Sequence, residues 1–403
     1  MYCFIFKNYA LGGGELLIEH IAVEIKNRNE EGVIFSRYID EEAAKNLNNK
    51  KIMYKQIKKW YSKKMWTFVL NQYSEVKLVV FDWGDYALLN NISHPCKKTI
   101  FYAISYVAFV YEKYNRFQNN PINLYILHLK KKCLPQLLQQ GKQISMYEPT
   151  ILYTQKSFGW SKDETSDWFN IIRIPEVIQS VDGKLIQERA GREKLNILSI
   201  ARADFPFKGY LIGLIDFVAN SLLDNLSLDI VTYGKDMNLI NKKMNELSKE
   251  QRKKIHIYGR TSYENLEAFF QQAKLYIGMG TTIIDAAQRG ILAIPVKADT
   301  YEVYAGNFFH DDYKCLSGFF VKENRIDELV NYVNKLDQNT YIKLAKLSRK
   351  LVKEHYSVSK TTNDLTKQFE KIDFDSHNSV IEKIANLNIL KNFIKGALKP
   401  IFH

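Results

Sequence analysis

Cysteine is scarce in this chain. Four are spread over 403 residues, Cys3, Cys96, Cys133 and Cys315, and no two have the spacing of a zinc site. Sparse, unpatterned thiols suit a reducing compartment. No apolar run reaches about 18 residues, so no membrane-spanning helix is expected. A basic leader is also lacking. MYCFIFKNYALGGG reads as a first strand running into a glycine-rich loop, not as a signal peptide. Internal repeats and low-complexity tracts are absent. Acid is short relative to base, 44 Asp and Glu against 57 Lys and Arg, for a formal charge of +13. That excess favours an anionic partner: nucleic acid, a nucleotide-bearing substrate or an acidic membrane surface.

What is present is an ordinary globular composition, 46% apolar and 25% charged, in a chain too long for one core. Two domains are expected. Strand-like runs at 2–6, 32–35, 76–81, 99–104, 143–147 and 171–174 alternate with helical patterns, including 15–27 and a short helix at 135–140 with Pro135 first. The second half repeats the alternation, with strands at 195–200, 227–231, 255–258, 275–277 and 292–296. Helical patterns lie between them at 211–222, 236–247, 263–272 and 282–289. Regular strand–helix alternation predicts two doubly wound, mostly parallel sheets. The polar stretch 176–194 is the expected boundary. From about 326 onward the pattern is helical, at 326–336, 341–356, 360–372 and 380–397.

The richest segment is LNILSIARADFPFKGY, 195–210. A buried strand delivers Arg202, a turn Asp204-Phe205-Pro206 follows, and then Lys208-Gly209 opens a helix. Two cations of different geometry flank one strand-to-helix turn, where helix-terminal N–H groups can also meet a phosphate. Further on come Gly234 after VTY, Gly259 in IHIYGR, and AKLYIGMGTTIIDAAQRGILAIPV with its GMGTT loop, Asp285 and Gly290.

In this order the segment 195–300 resembles the nucleotide-sugar domain of GT-B glycosyltransferases, above all the large retaining family that builds bacterial polysaccharides. The resemblance implies that Arg202 and Lys208 neutralise the departing nucleoside diphosphate without a metal. It implies that the amides of Gly280, Thr281 and Thr282 add helix-dipole stabilisation. Asp285 would accept from ribose hydroxyls, and Tyr258, Gly259 and Arg260 would lie by the base. Other readings stand beside these. Arg202 and Lys208 also fit solvated surface cations, Thr282-x-x-Asp285 also reads as a capping box, and Gly290 reads as the residue closing a helix. The family often carries two glutamates eight residues apart in this loop. Here the second position is Asp285 and the first is Ile277, while Leu292 stands where the Pro of Gly-x-Pro would be.

The N-terminal half resembles the family's acceptor domain weakly. Gly12, Gly13 and Gly14 follow the first strand, Glu15 opens the next helix, and Gly13 and Gly14 are expected to approach the donor. A tight strand–helix turn is the alternative. The family's histidine position falls on Ser105-Tyr106. Asp82 and Asp85 end the preceding strand, where open α/β sheets bind ligands, and Asp82 is the candidate catalytic carboxylate. A polar turn is the other reading of either. His94 and His128 have no partner visible in the sequence and read as structural or surface residues.

NKKIMYKQIKKWYSKKMW, 49–66, reads as one basic-aromatic helix lying on anionic lipid, with Trp60 and Trp66 inserted, or as a solvated helix with a buried aromatic stripe. The apolar face of 380–398 reads as packing back onto the N-terminal domain or meeting the membrane.

Together these readings give an α/β chain of GT-B type, two Rossmann-like domains facing a cleft: 1–180 for the acceptor, 194–357 for the nucleotide-sugar, then 358–403 as C-terminal helices. The expected activity is a retaining, metal-independent transfer of a sugar, hexosyltransferase-like, from a nucleotide-sugar co-substrate. The acceptor would be a lipid-linked saccharide in capsule or lipopolysaccharide synthesis, and the enzyme cytoplasmic and peripheral to the inner face of the cell membrane. No cofactor, metal or nucleic acid is implied. A degenerate GT-B binding protein and a sugar-nucleotide epimerase are the rivals.

Overall fold

The computed structural model describes residues 1–398 apart from 11–12, 106, 115–118, 166, 181 and 317–322; for 13, 114, 263–264 and 392–398 it describes the backbone alone. Met1–Glu176 with Val358–His403 form one unit, and Val177–Ser357 form the other.

The first unit is built on seven strands: β1 (Tyr2–Ile5), β2 (Gly32–Ser36), β3 (Met53–Gln56), β4 (Val76–Val80), β5 (Lys97–Ala103), β6 (Gln143–Ser145) and β7 (Asn170–Ile171). All pair in parallel, in the order β3-β2-β1-β4-β5-β6-β7. Side chains alternate across a strand, and both faces of β1 are buried. Cys3 and Ile5 enter one core with Trp66, Leu78, Leu134 and Ile384, while Tyr2 and Phe4 enter another with Ile18, Ile21, Leu365 and Phe369. That is why YCFI reads as continuously apolar. Each large apolar side chain so buried contributes roughly 1.5–3 kcal/mol.

Three expectations fail here. Residues 49–66 are not one helix. Lys50 ends the helix Glu41–Asn49, β3 follows, and Ser62 caps a new helix, Lys63–Leu70. β3 pairs on one side only, and lysines on an edge strand blunt it against further pairing. Trp60 and Trp66 are 1% and 0% exposed, with ring centroids 5.1 Å apart. Trp66 Nε1 donates to the Trp60 carbonyl at 2.6 Å. Rings held this way in the core insert into nothing outside it. Pro135 does not start a helix. It lies inside Pro121–Gln139, whose first position is held by Pro121 and whose cap is Asn120. Gly13 and Gly14 are the opening residues of the helix Gly13–Asn27 and not loop, so Glu15 lies inside it; Gly12 falls outside the described residues.

Residues after 357 belong to the first unit. The helix Val358–Lys371 buries Leu365 and Phe369 on one face of the sheet, and Ile381, Ile384 and Ala385 of Ser379–Leu398 join the core on the other. Between them, the Asp375 carboxylate meets Lys97 at 3.6 Å, Lys142 at 3.2 Å and Thr99 Oγ1 at 2.5 Å. Of the apolar face read at 380–398, the side chains of Phe393, Ile394, Ala397 and Leu398 lie outside those described.

The second unit carries β8 (Leu195–Arg202), β9 (Leu226–Tyr233), β10 (Ile255–Tyr258), β11 (Leu275–Gly278) and β12 (Leu292–Pro295), all parallel in the order β10-β9-β8-β11-β12. Its boundary falls between Glu176 and Val177, at the start of the polar stretch 176–194 expected to hold it, but that stretch is not all linker. Gly183–Ala190 is a helix of this unit, and its Arg189 is fully buried, donating to the carbonyls of Ala273, Arg289 and Phe270 at 2.7, 2.7 and 3.0 Å. A polar composition concealed it because its one buried cation is satisfied by backbone oxygens. Among the described residues no helix is long and apolar enough to cross a membrane.

Candidate functional site

Strand order reverses between β8 and β11, since β9 and β10 lie on one side and β12 on the other. Ligands of open α/β sheets bind outside the carboxyl ends of strands at such a switch point. The two loops there are those singled out by sequence, 203–209 after β8 and 279–280 after β11. A tyrosine links their flanks: the Tyr276 hydroxyl donates to Thr282 Oγ1 at 2.6 Å, in the helix after the second loop, and accepts from the Ile200 N–H at 3.4 Å, in the strand before the first.

Arg202 ends β8 with its side chain 63% exposed. Lys208 is half-buried, its Nζ 4.9 Å from the centre of the Phe207 ring. Burial, helped by the Arg202 charge, pushes the Lys208 ammonium down to about 7. Three backbone donors of this turn are engaged within it. Lys208 N–H bonds the Asp204 carbonyl, Gly209 N–H the Pro206 carbonyl and Leu211 N–H the Lys208 carbonyl. Those three amides are therefore not offered to a phosphate, and the charged donors of the turn are the Arg202 and Lys208 side chains. Glycine is required at 209, where a Cβ would sit 2.6 Å from the Thr300 oxygen.

Gly280 precedes the helix Thr281–Gln288 at φ +76°, and a Cβ built on it meets nothing within 4 Å. Its N–H is engaged by the Leu316 carbonyl at 3.0 Å, which removes it from the expected set of donors. Thr281 and Thr282 supply first-turn amides, which lack acceptors within their own helix. Thr282 Oγ1 donates back to the Met279 carbonyl at 3.2 Å. The capping-box reading fails: no side chain caps this helix. Asp285 is buried and accepts from Arg289 Nη1 at 3.0 Å, while Arg289 Nε reaches Glu267 at 2.8 Å. The i+4 cation wins the carboxylate from the helix start. Ile277, at the family's first glutamate position, is fully buried in the core. Gly290 closes the helix at φ +69°.

Tyr258 lies further out along the same edge, 37% exposed, its ring 4.7 Å from that of Phe269. Gly259 has open space around it. Arg260 stacks over the ring of Tyr233, 5.5 Å from its centre.

The first unit has its own switch point, between β1 and β4. A cavity of about 450 Å³ there is lined by Lys7 after β1, Asp82 after β4, Ser105 after β5, and by Trp83, Asp85 and Lys130 among others. Asp82 is exposed and caps the helix Trp83–Asn90, accepting from the Gly84 and Asp85 amides at 2.8 and 3.1 Å. The polar-turn reading accounts for it. Asp85 is the buried carboxyl. Its Oδ1 accepts from Trp60 Nε1 at 2.7 Å, and its Oδ2 has no hydrogen-bond partner among the described residues. Burial, then the neighbouring Asp82 charge, pushes it up to about 8. His94 bridges the backbone of Tyr73 and Cys96, and His128 stacks on Tyr125. Ser105 lines the cavity; Tyr106 falls outside the described residues. Among those described, no cluster of His, Cys, Asp and Glu has metal-binding form.

No protein-family model matches the sequence, and no curated protein matches it. Solved structures do. A glycosyltransferase from Rickettsia africae superposes with a TM-score of 0.63 at 14% identity, over 92% of this chain and 98% of its own. Anabaena HepE, solved with UDP, gives 0.63 at 12% identity over 92% and 100%. Sucrose-phosphate synthase from Thermosynechococcus elongatus gives 0.57 at 10% identity over 92% and 98%. The fold is GT-B. Within this GT-B chain, Arg202, Lys208, Gly280, Thr281 and Thr282 gather at one switch point. Asp82, Gly13 and Gly14 belong to the other unit. Sequence reasoning passed over Tyr276, Tyr233 and Lys235. Lys235 was legible as the cation directly after Gly234; Tyr276, inside an apolar strand, gave no signal.

Proposed function

We propose that this chain is a glycosyltransferase. Its second unit binds a nucleotide-sugar through the diphosphate, and its first unit handles a saccharide acceptor. The observation that carries this reading is the pair of cations, Arg202 and Lys208, at the β8–β11 switch point beside the open start of the helix Thr281–Gln288. Breaking the sugar–phosphate bond leaves charge on the nucleoside diphosphate, and preorganised cations stabilise it without a metal. Tyr258, Gly259 and Arg260 are assigned to the base, and Asp285, buried against Arg289, is assigned to the ribose by the resemblance alone. HepE was crystallised with both UDP and UDP-glucose, which supports a uridine nucleotide as the first donor to try. Retention of configuration rests on the ordered motif of 195–300.

A lipid-linked acceptor at the inner membrane face, in surface-polysaccharide synthesis, belongs to the same proposal. Its support is the set of exposed lysines Lys51, Lys55, Lys58, Lys59 and Lys64, which would act by charge alone. A second reading, a non-catalytic binding protein of this fold, is favoured by one observation: Ile277, buried where the family's first glutamate would meet the donor sugar. A thermal-shift panel of UDP-, GDP- and CMP-sugars, followed by turnover of any that bind, separates the two. Binding with release of nucleoside diphosphate supports the enzyme; binding without turnover for any acceptor supports the binding protein.

A further inference from the structure

The turn that carries Arg202 and Lys208 also holds a carboxylate and a third cation. Asp204 Oδ2 accepts from Arg202 Nη2 at 3.1 Å, and its Oδ1 lies 3.0 Å from Lys235 Nζ. The arrangement is built and not accidental. β8 and β9 run in register, Arg202 beside Tyr233, so Gly234-Lys235 emerges next to Ala203-Asp204. Gly234 sits at φ +141°, and a Cβ there would lie 2.5 Å from the Ala203 oxygen, so only glycine lets the two turns touch. Asp236 then staples them: its carboxylate accepts from the Phe205 N–H at 2.7 Å, and its own N–H reaches the Ala203 carbonyl at 3.3 Å. One anion is thereby fixed between two cations whose side chains are 63% and 70% exposed.

We infer that Asp204 is an internal stand-in for the donor's phosphate, and that Lys235 is a third cation of that site. The inference rests on the donor reading proposed above. Without nucleotide, the carboxylate holds Arg202 and Lys235 in place and neutralises half of their charge. A nucleoside diphosphate must take both cations from it. Exposed ion pairs are weak, so the exchange is easy, and Asp204 sets how tightly the site binds without touching the base or the sugar. Once displaced, its charge repels the bound phosphates, which favours release of the diphosphate product.

The test is titration calorimetry of the full chain with UDP, GDP, ADP and CDP at low and physiological salt. Asp204→Asn keeps shape and removes charge. It should tighten the best nucleotide about three- to tenfold, the range two exposed pairs allow, with the gain shrinking as salt rises. Lys235→Ala should weaken it about threefold or more. In the double variant the gain from Asp204→Asn should be smaller than in the single, because one cation it frees is gone. Melting temperatures confirm folding, and Asp204→Ser is the second variant should the first be unstable. Unchanged or weakened affinity in Asp204→Asn overturns the inference. If Arg202→Ala also leaves affinity unchanged, or no nucleotide binds the wild type, the donor reading falls first. If Arg202→Ala weakens binding and Asp204→Asn does not tighten it, only the role of Asp204 falls.

Discussion

The two sheets reverse strand order in the same way, yet the chemistry at their switch points is opposite. Around β8 and β11, Arg202, Lys208 and Lys235 outnumber Asp204 and Asp236, with Arg202 and Lys235 exposed and Lys208 half-buried. Around β1 and β4, Asp82, Asp85 and Glu112 mingle with Lys7, Lys130 and Lys391 along a cavity walled by aromatic rings, and Lys130 and Glu112 form a buried pair at 2.7 Å. One edge suits an anion. The other, mixed in sign and aromatic, suits a neutral, hydroxyl-rich ligand. Parallel topology thus fixes where a ligand is met, while the few residues just past the strand ends decide which ligand.

The sharpest way to break this contrast is to remove the cations. Arg202→Ala or Lys208→Ala should slow transfer by about 10²–10³-fold, roughly 2.7–4 kcal/mol, as loss of a preorganised charge does elsewhere. Initial rates with saturating donor and acceptor measure it. Wild-type rates in both variants would erase the distinction between the edges. The Lys208 ammonium adds a pH signature. A bound phosphate raises its pKa, so binding takes up a proton once the free lysine has lost its own. Nucleotide affinity should therefore be full below pH 7 and fall as pH rises through about 7. Lys208→Arg, always charged, should flatten that profile.

The first unit should answer to pH through stability instead. Asp85 is raised to about 8 in the fold. Between the ordinary carboxylate range and about 8, the folded state binds the extra proton and the unfolded state does not. Stability should then decline as pH rises across that window, by up to about 1.4 kcal/mol per unit, and level off above it. Asp85→Asn, which keeps an acceptor for Trp60, should remove the decline. Urea melts of both proteins from pH 5 to 9 decide the matter; parallel curves would mean Asp85 is ionised throughout.

The smallest effect is assigned to Asp82. As a helix cap it should cost about 1 kcal/mol of stability on change to Ala and leave nucleotide affinity untouched. Loss of transfer beyond that expected from partial unfolding would return Asp82 to the catalytic set.

Most of the fold was legible because both sheets are buried on both faces, which writes strands as plain apolar runs. Legibility failed where polar side chains were satisfied internally or placed on an edge. β3 hid among lysines, and the helix Gly183–Ala190 hid because Arg189 is paid in backbone carbonyls. The two cations of the donor turn were readable from their positions about a Pro-containing turn. Their electrostatic partners were not: that Asp285 answers to Arg289 and Asp204 to Lys235 depends on rotamers and on register between strands. Nor does a sequence show that Asp85 lies buried beside Trp60, since the two are 25 residues apart.

The return of residues 358–398 to the first sheet has a consequence for synthesis. The polypeptide begins one unit, builds the whole of another, and only then supplies the helices that cover the first. At ribosomal rates some 180 residues take on the order of ten seconds or more. During that interval Lys97 and Lys142 lack the carboxylate of Asp375, and the apolar sheet faces that later receive Leu365, Phe369 and Ile384 stand uncovered. The inserted unit, continuous in sequence, is free to fold first, so the earliest-made strands of the nascent chain are the part most in need of a chaperone.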